Sequence, residues 1–207
     1  MPISLYKLRN DTIIDKIWVE NITDTKTLTL PKDGSDKLVL DYNTVIPEFN
    51  QRDNYKAVDG SFLNNKPLQL RLFKDIEDPY YNQIFLMPLA EFNNIYDGIT
   101  LGTKIYNKTI LRKKLNYKFS PQYATKSKSL TGGLGVFYTH NIENKDLFNV
   151  TYGISAAYQS FAQDSYFTKI RPSVSFTFRD KSNLRSNQTD QISARYVSIS
   201  RDIGENA

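Results

Sequence analysis

His140 is the one histidine in the sequence, and there is no cysteine. An imidazole can act as a general base or a zinc ligand, but either chemistry needs partners at defined spacing. The zinc-peptidase motif H-E-x-x-H needs two histidines, so this chain does not contain it. The missing cysteines exclude disulfides, thiolate zinc sites and cysteine nucleophiles. His140 is followed by Asn141-Ile142-Glu143, which completes no nucleophile–base pair, and it reads as a loop or interface histidine. Gly132-Gly133-Leu134-Gly135 lacks the Lys-Ser/Thr and the helix of a phosphate loop. Its plainer reading is glycine in a lumen-facing strand. Asp75, Glu77 and Asp78 form an acidic cluster whose spacing fits no EF-hand, and they read as a solvated turn. Asn107-Lys108-Thr109 matches a glycosylation acceptor formally, as chance allows in so Asn-rich a chain. Arg112-Lys113-Lys114 is the densest basic run and reads as a charged loop. No catalytic, cofactor-binding or metal-ligating residue is therefore expected in this chain, and the chain alone is not expected to be an enzyme. A net charge of +5, from 27 Lys+Arg against 22 Asp+Glu, is spread along the sequence. It fits a solvated surface or lipid headgroup contact, and no nucleic-acid partner is expected.

The segments that would have to position any site are strands. Fourteen Tyr and twelve Phe favour β-structure, and no run of about 18 apolar residues provides a spanning helix. Within residues 1–55 the pattern predicts strands at Thr12–Val19, Thr27–Leu30 and Lys37–Leu40, with a turn at Pro31-Lys32-Asp33-Gly34. This is the end of a small β-sandwich, immunoglobulin-like in character but with too few strands to be whole. Residues 56–81 read as a linker because Asp59-Gly60 and Asn64-Asn65 punctuate them, although Leu68-Gln69-Leu70-Arg71-Leu72 alternates briefly. From residue 82 to 207, strand-length segments of roughly ten residues recur, as in transmembrane strands. The clearest are 115–123, 129–139, 148–158 and 169–179, with weaker ones at 82–91, 96–106 and 191–201. Their links are mostly short and polar, which forces an antiparallel up-and-down meander resembling part of an outer-membrane β-barrel. The fold class is all-β.

One face of each strand is aromatic or aliphatic, such as Phe148, Val150, Tyr152, Ile154, Ala156 and Tyr158. The other is small or polar, such as Asn149, Thr151, Gly153, Ser155 and Ala157, with Phe137 the exception to the alternation. A soluble sandwich or ligand-binding barrel would bury the apolar face. A membrane barrel would turn it to lipid, and alternation alone does not choose. Aromatics near strand ends (Tyr117, Tyr123, Phe148, Tyr158), small residues on the polar face and long strands favour the membrane. Pro121 and Pro172 oppose it, since a closed barrel has no free edge to absorb a missing N–H.

Several phrases extend the reading: Lys37-Leu38-Val39-Leu40-Asp41, Leu70-Arg71-Leu72-Phe73-Lys74-Asp75-Ile76-Glu77-Asp78-Pro79, Tyr96-Asp97-Gly98-Ile99-Thr100-Leu101-Gly102 and Ser120-Pro121-Gln122-Tyr123. With Ser193-Ala194-Arg195-Tyr196-Val197 they make the chain resemble the C-terminal region of aminopeptidase N-like zinc metallopeptidases (gluzincins) of Gram-negative bacteria. The resemblance spans nearly the whole chain and none of these phrases is a mechanistic motif. It implies an immunoglobulin-like domain followed by an outer-membrane barrel. It also implies outer-membrane lipid and a peptidase domain of the same polypeptide as partners, with the N-terminal part periplasmic. Zinc and its ligands would belong to that peptidase domain, and no catalytic residue carries over to this chain. The first residues lack a signal peptide and the sandwich lacks early strands. The intact polypeptide is therefore expected to extend upstream through an H-E-x-x-H helix and downstream through further strands.

Overall fold

The computed structural model describes all residues except 1, 24, 49–50, 52, 59–65, 74–75, 79–80, 108–112, 143–144, 181, 184–185 and 205–207. Asp75, Arg112, Lys108-Thr109, Glu143 and the Asp59-Gly60 and Asn64-Asn65 pairs lie outside the described residues. Thirteen strands and no helix make up what is described, so the chain is all-β. It divides into two compact units, Met1–Gln69 with Asp78–Gln83, and Leu70–Glu77 with Ile84–Ala207.

The first unit holds one antiparallel sheet, in the order β2-β1-β3-β4, from β1 (Ile3–Arg9), β2 (Thr12–Val19), β3 (Lys37–Leu40) and β4 (Tyr55–Ala57). β1 and β2 are joined by Asn10-Asp11, both at positive φ (49° and 60°), the pairing that a two-residue primed turn demands and that Asn and Asp tolerate best. Tyr6, Leu8 and Val39 form the core, with Tyr42 and Tyr55 packed against them. Lys7 is buried in the central strand and is satisfied by Asp33 at 2.8 Å and Asp15 at 3.6 Å. The Asp33 hydrogen bond leads in raising the ammonium pKa, against the pull of burial. Thr27–Leu30, expected as a strand, has no ladder partner and is largely exposed. Its alternation is local, and without a neighbour to accept its hydrogen bonds a four-residue run stays irregular. The strand at Ile3–Arg9 was not foreseen, because its central residues are buried on both faces and so do not alternate.

The second sheet is an antiparallel meander in chain order from its second to its eighth strand, with one further strand on each side of that run in sequence. Its strands are β5 (Leu68–Leu72), β6 (Asn82–Asn94), β7 (Gly98–Tyr106), β8 (Leu115–Ala124), β9 (Ser129–Asn141), β10 (Leu147–Ala162), β11 (Ser165–Phe178), β12 (Asp190–Arg195) and β13 (Ser198–Asp202). β5 falls inside the segment read as linker. β12 and β13 both pair with β11 in one register: Ser173 faces Arg195 and Ile170 faces Ser198. The break lies opposite Pro172. Tyr196 N–H donates to the Pro172 carbonyl at 3.1 Å, but the proline has no N–H to return. Pro121 leaves the same mark on the β7–β8 ladder, which is interrupted between Gly102↔Gln122 and Ile105↔Phe119 and resumes unshifted. Both prolines are thus absorbed as local gaps inside a continuous sheet. Gly132, paired with Pro121, sits at φ +139°, and a Cβ there would collide with the Ser120 carbonyl oxygen. Only glycine fits that close approach.

Candidate functional site

Cross-strand register assembles complete rows over the second sheet. One row is Leu86, Ile105, Phe119, Leu134, Ala156 and Ile170. The next row, on the opposite face, is Phe85, Tyr106, Lys118, Gly135, Ser155 and Arg171. The apolar face is the open one, with Phe119 45%, Leu134 44% and Ile154 47% exposed. Small residues of the polar face, Thr100, Ser120, Ala124 and Thr131, are buried instead. On a curled sheet, side chains converge on the concave side and splay on the convex side, so the polar face is concave.

Phe137, the exception to the alternation, belongs to this concave face. It pairs with Gly153, and its ring occupies the space that a Cβ on Gly153 would need. An aromatic ring covering a cross-strand glycine is a known way to rebuild packing that the glycine forfeits.

The connections differ between the two ends of this sheet. At one end the turns are short: Ile95–Asp97, Thr125–Lys128 and Gln163-Asp164. At the other end they are residues 107–114, 142–146 and 179–189. The three short turns converge on Asp97, which is fully buried. Its carboxylate accepts from Asn93 Nδ2 at 2.8 Å, Asn94 Nδ2 at 3.1 Å, Ser127 Oγ at 2.8 Å and Ser160 N–H at 3.3 Å. Asn94 Nδ2 also reaches the Ser160 carbonyl at 3.0 Å. β6 and β10 are separated by three strands, which a flat sheet would hold roughly 19 Å apart at the usual strand spacing. Contact at hydrogen-bond distance therefore requires strong curl. Burial pushes the Asp97 carboxyl up, but hydrogen bonds from Ser160, Ser127 and Asn94 outweigh it and hold the group below its ordinary value. The Ser160 hydroxyl has no partner in hydrogen-bonding geometry, so we assign the Ser160 contribution to its main-chain N–H.

The residues singled out in the sequence are scattered. His140 is exposed on β9 opposite Val150, on the apolar face. Gly133 and Gly135 line the concave face as strand residues, paired with Ser120 and Lys118. Glu77 and Lys113 differ from the solvated turn and charged loop expected of them. They form an ion pair at 3.5 Å with side chains only 10% and 13% exposed, beside the Phe85 ring. No group of three or more potential metal ligands occurs among the described residues. Asp97 itself was not recognisable as a site, because Ser127 and Ser160 lie 30 and 63 residues away in sequence.

Near the long-loop end of the concave face, Thr139, Thr151, Thr177 and Thr189 line a cavity of ≈320 Å³ with Asn149 and Arg179. The Arg179 guanidinium lies 5.2 Å over the Phe148 ring and donates to the Ser186 carbonyl. No family model matches the sequence, and neither the curated proteins nor the solved structures yield a match.

Proposed function

We propose that the second unit is wall of an outer-membrane-type β-barrel and that the chain serves as the membrane anchor of a larger, peptidase-like polypeptide. The observation that carries the first part is the inverted polarity of the curled sheet. A soluble barrel or sandwich hides its apolar face, whereas here that face is convex and open across strands β6 to β11. Exposed apolar surface of this extent needs lipid or a partner. Short turns at one end and longer loops at the other are also the usual asymmetry of outer-membrane barrels.

The second part rests on the family resemblance alone. Zinc would sit in the peptidase domain, because one histidine and no cysteine cannot build its motif here. The chain by itself contributes anchoring and no hydrolysis.

The test is assembly of the full chain into phospholipid vesicles. It should remain with the vesicles through alkaline carbonate and urea washes and require detergent for extraction. A monodisperse, folded monomer in plain buffer would defeat the anchor reading and favour a soluble β-module. Metal-dependent cleavage of aminoacyl substrates by the purified chain would defeat the non-catalytic assignment.

A further inference from the structure

The charged residues of the second sheet are segregated as sharply as the apolar ones. Register places Lys104, Lys118, Lys169, Arg171, Arg195 and Arg201 on the concave face of strands β6–β13. The one acid among those strand residues on that face is Glu91, paired with Thr100. These cations are arranged in two banks. Lys104 and Lys118 rise from β7 and β8, while Lys169 and Arg171 rise from β11, with Arg195 and Arg201 beyond them. Between the banks the floor is made of small residues, Gly133 and Gly135 on β9 and Gly153, Ser155 and Ala157 on β10, with the Phe137 ring lying against Gly135 and Gly153. Lys118 and Arg171 occupy one row across this floor, separated by Gly135 and Ser155. The three strand spacings between them span about 14 Å along the sheet, and curl brings the tips of both long side chains closer.

None of these cations is in an ion pair with a described residue. Lys104 and Arg201 rest over the rings of Tyr106 and Phe161, which orients them without neutralising them. Like charges gathered on a concave, low-dielectric surface repel one another and concentrate field into the groove. The arrangement lowers the fold's stability unless anions enter, so it is poorly explained as packing. Beyond the Phe137 row, at the long-loop end of the same face, lies the cavity that holds Arg179 among threonine hydroxyls. That places a cation and several neutral donors at the mouth.

We infer that this trough is a binding path for small solutes bearing phosphate or carboxylate groups, with Lys118, Lys169 and Arg171 as its central contacts. The inference builds on the barrel reading, in which the trough lines the lumen, but the charge argument itself does not involve lipid.

The absence of cysteine permits a direct test with single thiols in the full chain, held in vesicles of zwitterionic lipid that bring no anionic headgroup. Ser155→Cys places the thiol on the floor between the banks, and Ala157→Cys, between Gly133 and Lys169, is a second floor position should the first fold poorly. The rates of a negatively and a positively charged methanethiosulfonate reagent are each normalised to a free thiol in solution. The negative reagent should be favoured on the order of tenfold or more, as expected for a charged cleft. Millimolar inorganic pyrophosphate should slow it several-fold. Adding Lys169→Glu and Arg171→Glu should abolish or reverse the preference. If that pair disturbs folding, Lys169→Gln with Arg171→Gln should move the ratio towards one. An even or positive-reagent preference, or one untouched by these changes, overturns the inference. Ile154→Cys, on the convex face, isolates the barrel reading. Free labelling there by both reagents would sink the lipid-facing assignment while leaving the result at Ser155 to stand on its own.

Discussion

Removing the Asp97 carboxylate should unfasten the short-turn end of the second sheet. Four donors converge on it, two from the end of β6, one from the Thr125–Lys128 turn and one from β10, and hydrogen bonds to a charged acceptor are worth about 1.5–3 kcal/mol each. They are not additive, and the side chains of Asn93, Asn94 and Ser127 can turn to water. The Ser160 N–H is buried and cannot. Asp97→Ala should therefore cost about 3 kcal/mol locally, raising the turn-opening equilibrium by roughly two orders of magnitude. Trypsin reads this directly, because Lys126 and Lys128 sit in the Thr125–Lys128 turn that Asp97 clasps. Nicking there follows the population of the open form when opening and closing are fast. The sign with pH is also defined. The carboxyl is held below its ordinary value, so its stabilisation is complete above the unfolded carboxyl range, about pH 4, and is lost as pH falls through the folded value. Asp97→Asn should keep the shape, cost less than alanine and flatten that acid limb. A nicking rate in Asp97→Ala within about threefold of the native chain, or an acid limb that persists in Asp97→Asn, would refute the clasp.

Three further outcomes are expected. Gly132→Ala should break the β8–β9 ladder at a cost of about 2–3 kcal/mol, because both its φ and the Ser120 carbonyl oxygen oppose a side chain; Gly133→Ala meets only ordinary contacts, and unfolding midpoints in detergent should separate the two. Lys113→Ala should remove the Lys113 counter-charge from the largely buried Glu77 carboxylate and cost about 1–3 kcal/mol, whereas Lys113→Ala with Glu77→Ala should recover part of the loss by the same measurement. Ile154→Lys should impair assembly into vesicles by about 2–4 kcal/mol if the position lies near the bilayer midplane, while Ser155→Glu, beside Arg171, should be tolerated.

What the sequence made legible was whatever period two encodes. The strands from residue 82 onward lie close to where alternation predicts them, because most have one mainly apolar face and polar turn residues at their ends. Alternation fails where both faces carry the same kind of residue, as in β1, and it overreaches where a short run has no neighbour, as at Thr27–Leu30. It is also silent on register. Lys118, Lys169 and Arg171 each look unremarkable on their own strands, where the polar face reads as small Gly, Ser, Thr and Ala. Only pairing Lys118 with Gly135, Gly135 with Ser155, and Ser155 with Arg171 turns scattered cations into facing banks above a floor of small residues. The prolines teach the converse. Pro121 and Pro172 counted against a closed barrel, because each missing N–H was judged by itself. In the sheet each gap is bridged by an unshifted register on either side, and Gly132 lets the neighbouring strand close in on Pro121. A local penalty of one hydrogen bond, about 1 kcal/mol, cannot overturn a ladder that dozens of others hold in register. For this chain the information that locates a site is therefore two-dimensional: it lies in which residues the rows bring side by side, and a linear reading sees only half of each row.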